Sequence, residues 1–254
     1  MHKTILFAIL ILFLVSGTNV SGQELTTDTT KSTQDLKFKY SALIIPAALI
    51  GYGAVGLGSD RIKNWNVAVG KGLSVDATNR VSVDNYMQYA PFLSVYGLNA
   101  VGIKGKNNFK DRTVVLATAY LIMGVAVKGL KLVTKVERPD GSSNNSFPSG
   151  HTATAFMGAE FLRQEYKDVS PWYGIAGYVV ATGVGFLRVY NNKHWLTDVA
   201  AGAGIGILST KAAYWMHPFV DRKLFGKNKK HQTTAIVCPY YSKEQAGFAM
   251  LLNF

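Results

Sequence analysis

Six stretches of the chain are apolar and nearly free of charge, and short polar segments join them. Tyr40–Ser59 runs 20 residues without a charged side chain, Asn85–Ile103 runs 19 and Val169–Leu187 runs 19. Thr113–Val127 runs 15 and stays apolar to Val133, with Lys128 and Lys131 embedded. His151–Leu162 and Val199–Thr210 are shorter. All are rich in Gly and Ala, and Asp, Asn, Lys and Pro gather between them. The pattern predicts an all-α fold of about six helices, with no period-two alternation until the end.

A helix that crosses a bilayer needs about 20 apolar residues, and two or three of these stretches meet that length. Gly202, Gly204 and Gly206 supply the small-residue spacing that lets helices approach closely in membrane bundles. A membrane-associated helical domain over residues 40–220 is therefore expected. Tyr40–Ser59 contains Pro46, Gly51, Gly53, Gly56 and Gly58, a poor composition for a straight span, so it is expected not to cross.

Both ends depart from this pattern. Lys3, the apolar run Ile5–Val15 and the small residues Val20-Ser21-Gly22 before Gln23 read as a signal peptide over 1–22. A polar leader occupies 23–39. At the other end, 221–254 is a basic tail followed by a short C-terminal β-hairpin. Thr233–Val237 reads as a strand and Ser242–Ala246 as a turn region, and Phe248, Met250, Leu252 and Phe254 then alternate with their neighbours.

Composition narrows the function. Hydrophobic residues make up 48% of the 254 and charged residues 17%, which is too apolar for a disordered chain. One cysteine, Cys238, cannot build a disulfide scaffold and reads as a small packing residue. Mean hydropathy is a mild +0.11. The net charge of +12 suits an anionic membrane or a phosphorylated substrate. Its cations are scattered between apolar stretches, which excludes a nucleic-acid reader. Lys104, Lys106, Lys110 and Arg112, then Arg163 and Lys167, then Arg222 to Lys230 form basic clusters, which the positive-inside rule assigns to the cytoplasmic side. The loops Arg138–Gly150 and Arg188–His194 then share the outer side.

Those two loops hold the reactive residue types. Lys131 is followed after six residues by Arg138-Pro139; Ser146-Phe147-Pro148-Ser149-Gly150-His151-Thr152 comes next; Arg188, His194 and Asp198 follow at intervals of five and three residues. His194 and Asp198 at i, i+4 share a helix face, so the carboxylate can fix one imidazole nitrogen and leave the other bare as nucleophile or base. Lys131, Arg138 and Arg188 are fixed cations that suit a doubly charged phosphoryl group. Ser149 reads as an N-cap, Gly150 lets backbone approach a ligand, and His151 at that helix start is placed to protonate a leaving oxygen.

In this order and spacing the three pieces resemble the type 2 phosphatidic acid phosphatase (PAP2) superfamily. They stand here as Lys131…Arg138-Pro139, Pro148-Ser149-Gly150-His151 and Arg188…His194…Asp198, within residues 85–218. The resemblance implies that His194 attacks phosphorus and forms a phosphohistidine, that Asp198 orients it, and that His151 is the general acid. It implies that Lys131, Arg138, Ser149, Gly150 and Arg188 hold phosphate oxygens, with no metal and no other cofactor. Leu187 stands where the family usually has Ser before the third-motif Arg, which implies an altered pocket wall. The expected protein is a membrane lipid phosphatase of the bacterial inner membrane with its site facing the periplasm. Its partners would be a lipid phosphate and the bilayer. A soluble periplasmic acid phosphatase and a non-catalytic phospholipid-binding or transport protein are the alternatives.

Overall fold

The structure is a computed structural model and describes residues 40–73, 75, 80–225, 234–241 and 246–253. The expected signal peptide 1–22 and leader 23–39 lie outside the described residues, as does the side chain of Cys238.

The expected count of about six helices is corrected. A 3-10 turn at Tyr40–Leu43 leads into eight α-helices among the described residues: α1 Ile44–Gly58, α2 Asp60–Leu73, α3 Asp84–Met87, α4 Ala90–Ala100, α5 Phe109–Thr134, α6 Gly150–Tyr166, α7 Pro171–Tyr190 and α8 Leu196–Phe225. One added helix, α2, carries Asp60, Arg61, Lys63 and Lys71, so it has no apolar run to announce it. The other arises because the run from Asn85 is broken. Turn residues Gln88 and Tyr89 end α3, and Pro91 occupies the first turn of α4, where a missing N–H costs no helical bond. The C-terminal strands β1 Thr234–Tyr241 and β2 Ala246–Asn253 pair antiparallel, Thr234 opposite Asn253.

Helix ends follow local chemistry. Asn108 caps α5, its side chain accepting from Asp111 N at 2.9 Å. Lys135 ends α5 in the left-handed region at φ 48°. Ser149 caps α6, and Ser170 caps α7 ahead of Pro171. Helix α1 is continuous despite its glycines, because Pro46 falls in the first turn.

Helices α6 and α8 form the centre, with α1, α4, α5 and α7 around them. Their contact depends on glycine. A Cβ on Gly202 would lie 2.5 Å from Ser149 O, and one on Gly206 would lie 2.3 Å from Ala153 O. Gly204, on another face of α8, lies equally close to α1, where a Cβ would meet Pro46 O at 2.7 Å. Met157 and Phe161 of α6, Val115, Ala119 and Met123 of α5 and Ile205 and Tyr214 of α8 fill the core.

The polarity of inside and outside is unusual for a water-soluble bundle. Glu160 and Glu165 are fully buried, while Leu121, Val125, Leu132, Val133, Val179 and Phe186 are exposed. Glu160 accepts from Arg163, Lys211, Gln164 and Tyr178, and Glu165 accepts from Asn107 and Tyr214. Apolar exteriors over paired interior charges are what a bilayer solvent selects. Tyr40–Gly58 and Phe109–Thr134 are long and apolar enough to cross a membrane. The first of these, expected not to cross, thus meets the length and composition of a span.

Candidate active site

The two loops predicted to share a side meet. Ser149 N donates to Asp198 O at 3.0 Å, and Trp195 Nε1 donates to Glu137 O at 3.0 Å. Lys193 Nζ lies 2.6 Å from Asp140 Oδ2, and Arg80 reaches the same oxygen at 3.0 Å. Asp140 follows Arg138-Pro139 and Lys193 precedes His194, so this ion pair ties the first motif to the third. Burial alone would raise the Asp140 pKa, but hydrogen bonds from Lys193 and Ser142 outweigh it together and hold the carboxyl well below the usual range.

His194 sits in the turn between α7 and α8 and is 3% exposed; Asp198 in the first turn of α8 is 1% exposed. His194 Nδ1 stands 3.4 Å from Asp198 Oδ2. That oxygen accepts from Ser146 Oγ at 2.5 Å and from Trp195 N at 2.9 Å, and Ser146 Oγ is itself 3.4 Å from His194 Nδ1. Asp198 and Ser146 therefore both stand on the Nδ1 side, which leaves Nε2 for chemistry. Burial lowers the His194 pKa most; Asp198 opposes this, and Arg188 and Lys131 add to the lowering, to about 4. The imidazole is neutral at pH 7, as a nucleophile requires.

Lys131 and Arg188 act on this histidine from two helices, and Arg138 stands near Arg188 and Asp198. Lys131, near the end of α5, donates to the carbonyls of Asn145 and Ser146 and so holds the loop that carries Ser146. Arg138 Nε donates to Asn145 Oδ1 at 2.9 Å. Arg188, in the last turn of α7, is buried and its NH1 lies 2.6 Å from Asp84 Oδ2. Its Nε, also buried, has no hydrogen-bond partner among the described residues. Three like charges this close repel, and a phosphate dianion relieves the repulsion.

Ser149 is fully buried as the α6 cap, its Oγ accepting from Thr152 N at 3.5 Å and its N–H donating to Asp198 O, so both groups are already engaged within the protein. Gly150 follows at the α6 start, where the nearest atom to an added Cβ is Val127 Cγ1 at 3.9 Å; packing does not demand the glycine. His151 Nε2 lies 3.0 Å from Asn85 Oδ1. Burial, then Arg188, lower the His151 pKa to about 4, with Asp84 opposing and His194 and Arg138 adding. All eight residues singled out in the sequence thus gather at one end of the bundle. The sequence did not point to Asp84, Asn85, Asp140 or Lys193. Adjacency to the motifs was a signal for Asp140 and Lys193; no pattern marked the pair on α3.

Among the described residues, Asp111, His217 and Asp221 form a group with metal-ligand chemistry. It lies at the opposite end of α5 from Lys131, and Lys110 Nζ sits 2.7 Å from Asp221 Oδ1, so a lysine already supplies the cation there.

A buried, carboxylate-backed histidine beside fixed cations has the chemistry to handle a phosphate group. Residues 112–222 match the model of the PAP2 superfamily. The chain is similar to the lipid A 1-phosphatase of Porphyromonas gingivalis, at 40% identity over 149 residues covering 58% of this chain and 34% of that protein. It is also similar to the bacitracin transport permease protein BcrC of Bacillus licheniformis, 37% identical over 75 residues, or 30% of this chain and 35% of that one. The matched part thus spans about a third of these curated relatives. The crystal structure of a PAP2-type phosphatidylglycerolphosphate phosphatase from Bacillus subtilis aligns with a TM-score of 0.48 at 23% identity, over 73% of this chain and 99% of that one.

Proposed function

We propose that the protein is a metal-independent phosphatase of a membrane lipid phosphate or diphosphate. The observation that carries this reading is the neutral, buried His194 with Asp198 on its Nδ1 side and three cations around it. His194 Nε2 attacks phosphorus as the P–O bond to the leaving group breaks. The bound phosphoryl group brings a proton onto His151, and the imidazolium so formed delivers it to the departing oxygen. Lys131, Arg138, Arg188 and the backbone N–H at Gly150 hold the phosphoryl oxygens as charge builds, while Ser149 fixes the start of the helix. Water, deprotonated by His151, then attacks the phosphohistidine; the N–P bond breaks, inorganic phosphate leaves and both histidines regain their starting state.

The apolar exterior supports a lipid substrate held in the bilayer over a soluble one. The positive-inside charge distribution supports a site on the periplasmic side of a bacterial inner membrane. Similarity to a protein named a lipid A 1-phosphatase makes lipid A the first substrate to try, beside phosphatidic acid, phosphatidylglycerophosphate and undecaprenyl diphosphate. The test is phosphate release from this panel by detergent-purified protein in EDTA. At least one lipid should be hydrolysed, and His194→Ala should lower the rate by about 10³-fold or more while the protein stays folded. Undiminished turnover in that variant, or a strict need for a divalent ion, would overturn the reading.

A further inference from the structure

We propose that helix α3 is a fourth part of the catalytic apparatus: Asn85 positions His151 for proton delivery to the leaving group, and Asp84 positions Arg188 for the phosphoryl group. This rests on the phosphatase reading above and adds a division of labour between two neighbouring residues.

Asn85 Oδ1 can only accept a hydrogen bond, so at 3.0 Å from His151 Nε2 it fixes the hydrogen on that nitrogen. Nε2–H is thus held by Asn85, and Nδ1 is the nitrogen that takes up a proton when the ring becomes cationic and passes it to the leaving oxygen. The charged and titratable groups facing His151 are Arg188 from α7, Asp84 from α3, and His194 and Arg138 from the two loops. None of these four hydrogen-bonds the His151 ring, which leaves Asn85 to set its tautomer and orientation.

Asp84 is 1% exposed and pairs with Arg188 NH1 at 2.6 Å. That bond uses one edge of the guanidinium and leaves Nε without a partner among the described residues. Helix α3 has four residues, too few to hold itself in place, and its approach is clamped from outside. Asn191, just after α7, accepts from Val81 N at 2.9 Å, donates to Val81 O at 2.7 Å, and reaches Asp84 Oδ1 at 3.5 Å. The segment is thus locked to the same helix end that presents Arg188.

Leaving-group dependence separates the two roles. An alkyl oxygen departs poorly without a proton, whereas p-nitrophenolate departs without one. Asn85→Ala should therefore lower kcat on phosphatidic acid by about 30-fold and on p-nitrophenyl phosphate by no more than about threefold. Asn85→Asp keeps an acceptor oxygen in place and should recover most of the loss on phosphatidic acid. Asp84→Asn should lower kcat/KM on both substrates by the same factor, about tenfold or more, because both present the same phosphoryl group to Arg188. An equal fall on both substrates for Asn85→Ala, or an Asn85→Asp no better than Asn85→Ala, overturns the proposal while active wild-type enzyme upholds the phosphatase. Wild-type protein releasing phosphate neither from p-nitrophenyl phosphate nor from any lipid of the panel would instead overturn the phosphatase reading beneath it.

Discussion

The two histidines share one electrostatic condition: each is buried among cations and kept neutral. That condition has a consequence for stability. Both ordinary pKa values of 6.5 fall to about 4 in the fold. Between those values the unfolded chain binds more protons than the native one, so stability rises with pH across the window. Acidification from pH 7 toward 4 should destabilise the protein, and the effect is complete once pH falls below the folded value. The thermal unfolding midpoint in detergent should be lower at pH 5 than at pH 7, and His151→Asn with His194→Asn should flatten the difference. Identical midpoints for the native protein would show that the histidines are not held neutral.

At the scale of elements, the contact between α6 and α8 sets the site. Gly202 lies against Ser149 O, the cap from which Gly150 and His151 begin, and Ser149 N in turn bonds Asp198 O. Gly202→Ala would push a methyl group into backbone and separate the two motifs. It should cost about 1–3 kcal/mol of stability and lower turnover together. Gly183 on α7 has nothing within 4 Å of an added Cβ, so Gly183→Ala should leave both intact or raise stability by up to about 1 kcal/mol. Thermal unfolding and phosphate release on the pair check this; a Gly202→Ala protein as stable and active as the native one would contradict it. The same elements show what was legible in the sequence. Lys131, Arg138, His151, Arg188, His194 and Asp198 could be read because their chemistry repeats at short spacings beside apolar helices. Helix α2 could not, because its charged face has the composition of a loop. The break after α3 was hidden inside an uncharged run, where only Pro91 marks the new start. Asp84 and Arg188 are 104 positions apart, and no local period connects residues that meet only when two helices pack.

For the whole molecule, the charges divide between two ends. Helix α5 carries Lys110 at its start and Lys131 near its finish, and its 26 residues span roughly 39 Å at about 1.5 Å each. Lys131 belongs to the end that carries the motif loops. At the far end, Lys110 pairs with Asp221, and Lys106 N donates to Glu165 O at 2.9 Å. The basic clusters around Lys104–Arg112, Arg163–Lys167 and Arg222 are thereby gathered on one side, away from both motif loops. Between the ends Ile44 and Val55 of α1, Leu121 and Val125 of α5 and Val179 and Phe186 of α7 are exposed, as the membrane setting proposed above requires. On the orientation proposed above, the positive-inside rule puts the basic end in the cytoplasm. With Cys238→Ser as background, Ser142→Cys in the first motif loop and Lys167→Cys at the basic end, both exposed positions, test this. A membrane-impermeant maleimide applied to intact spheroplasts should label Ser142→Cys and spare Lys167→Cys until the membrane is opened. Labelling of both before lysis, or the reverse order, would mean that the charge division does not set orientation and that the phosphate site does not face the periplasm.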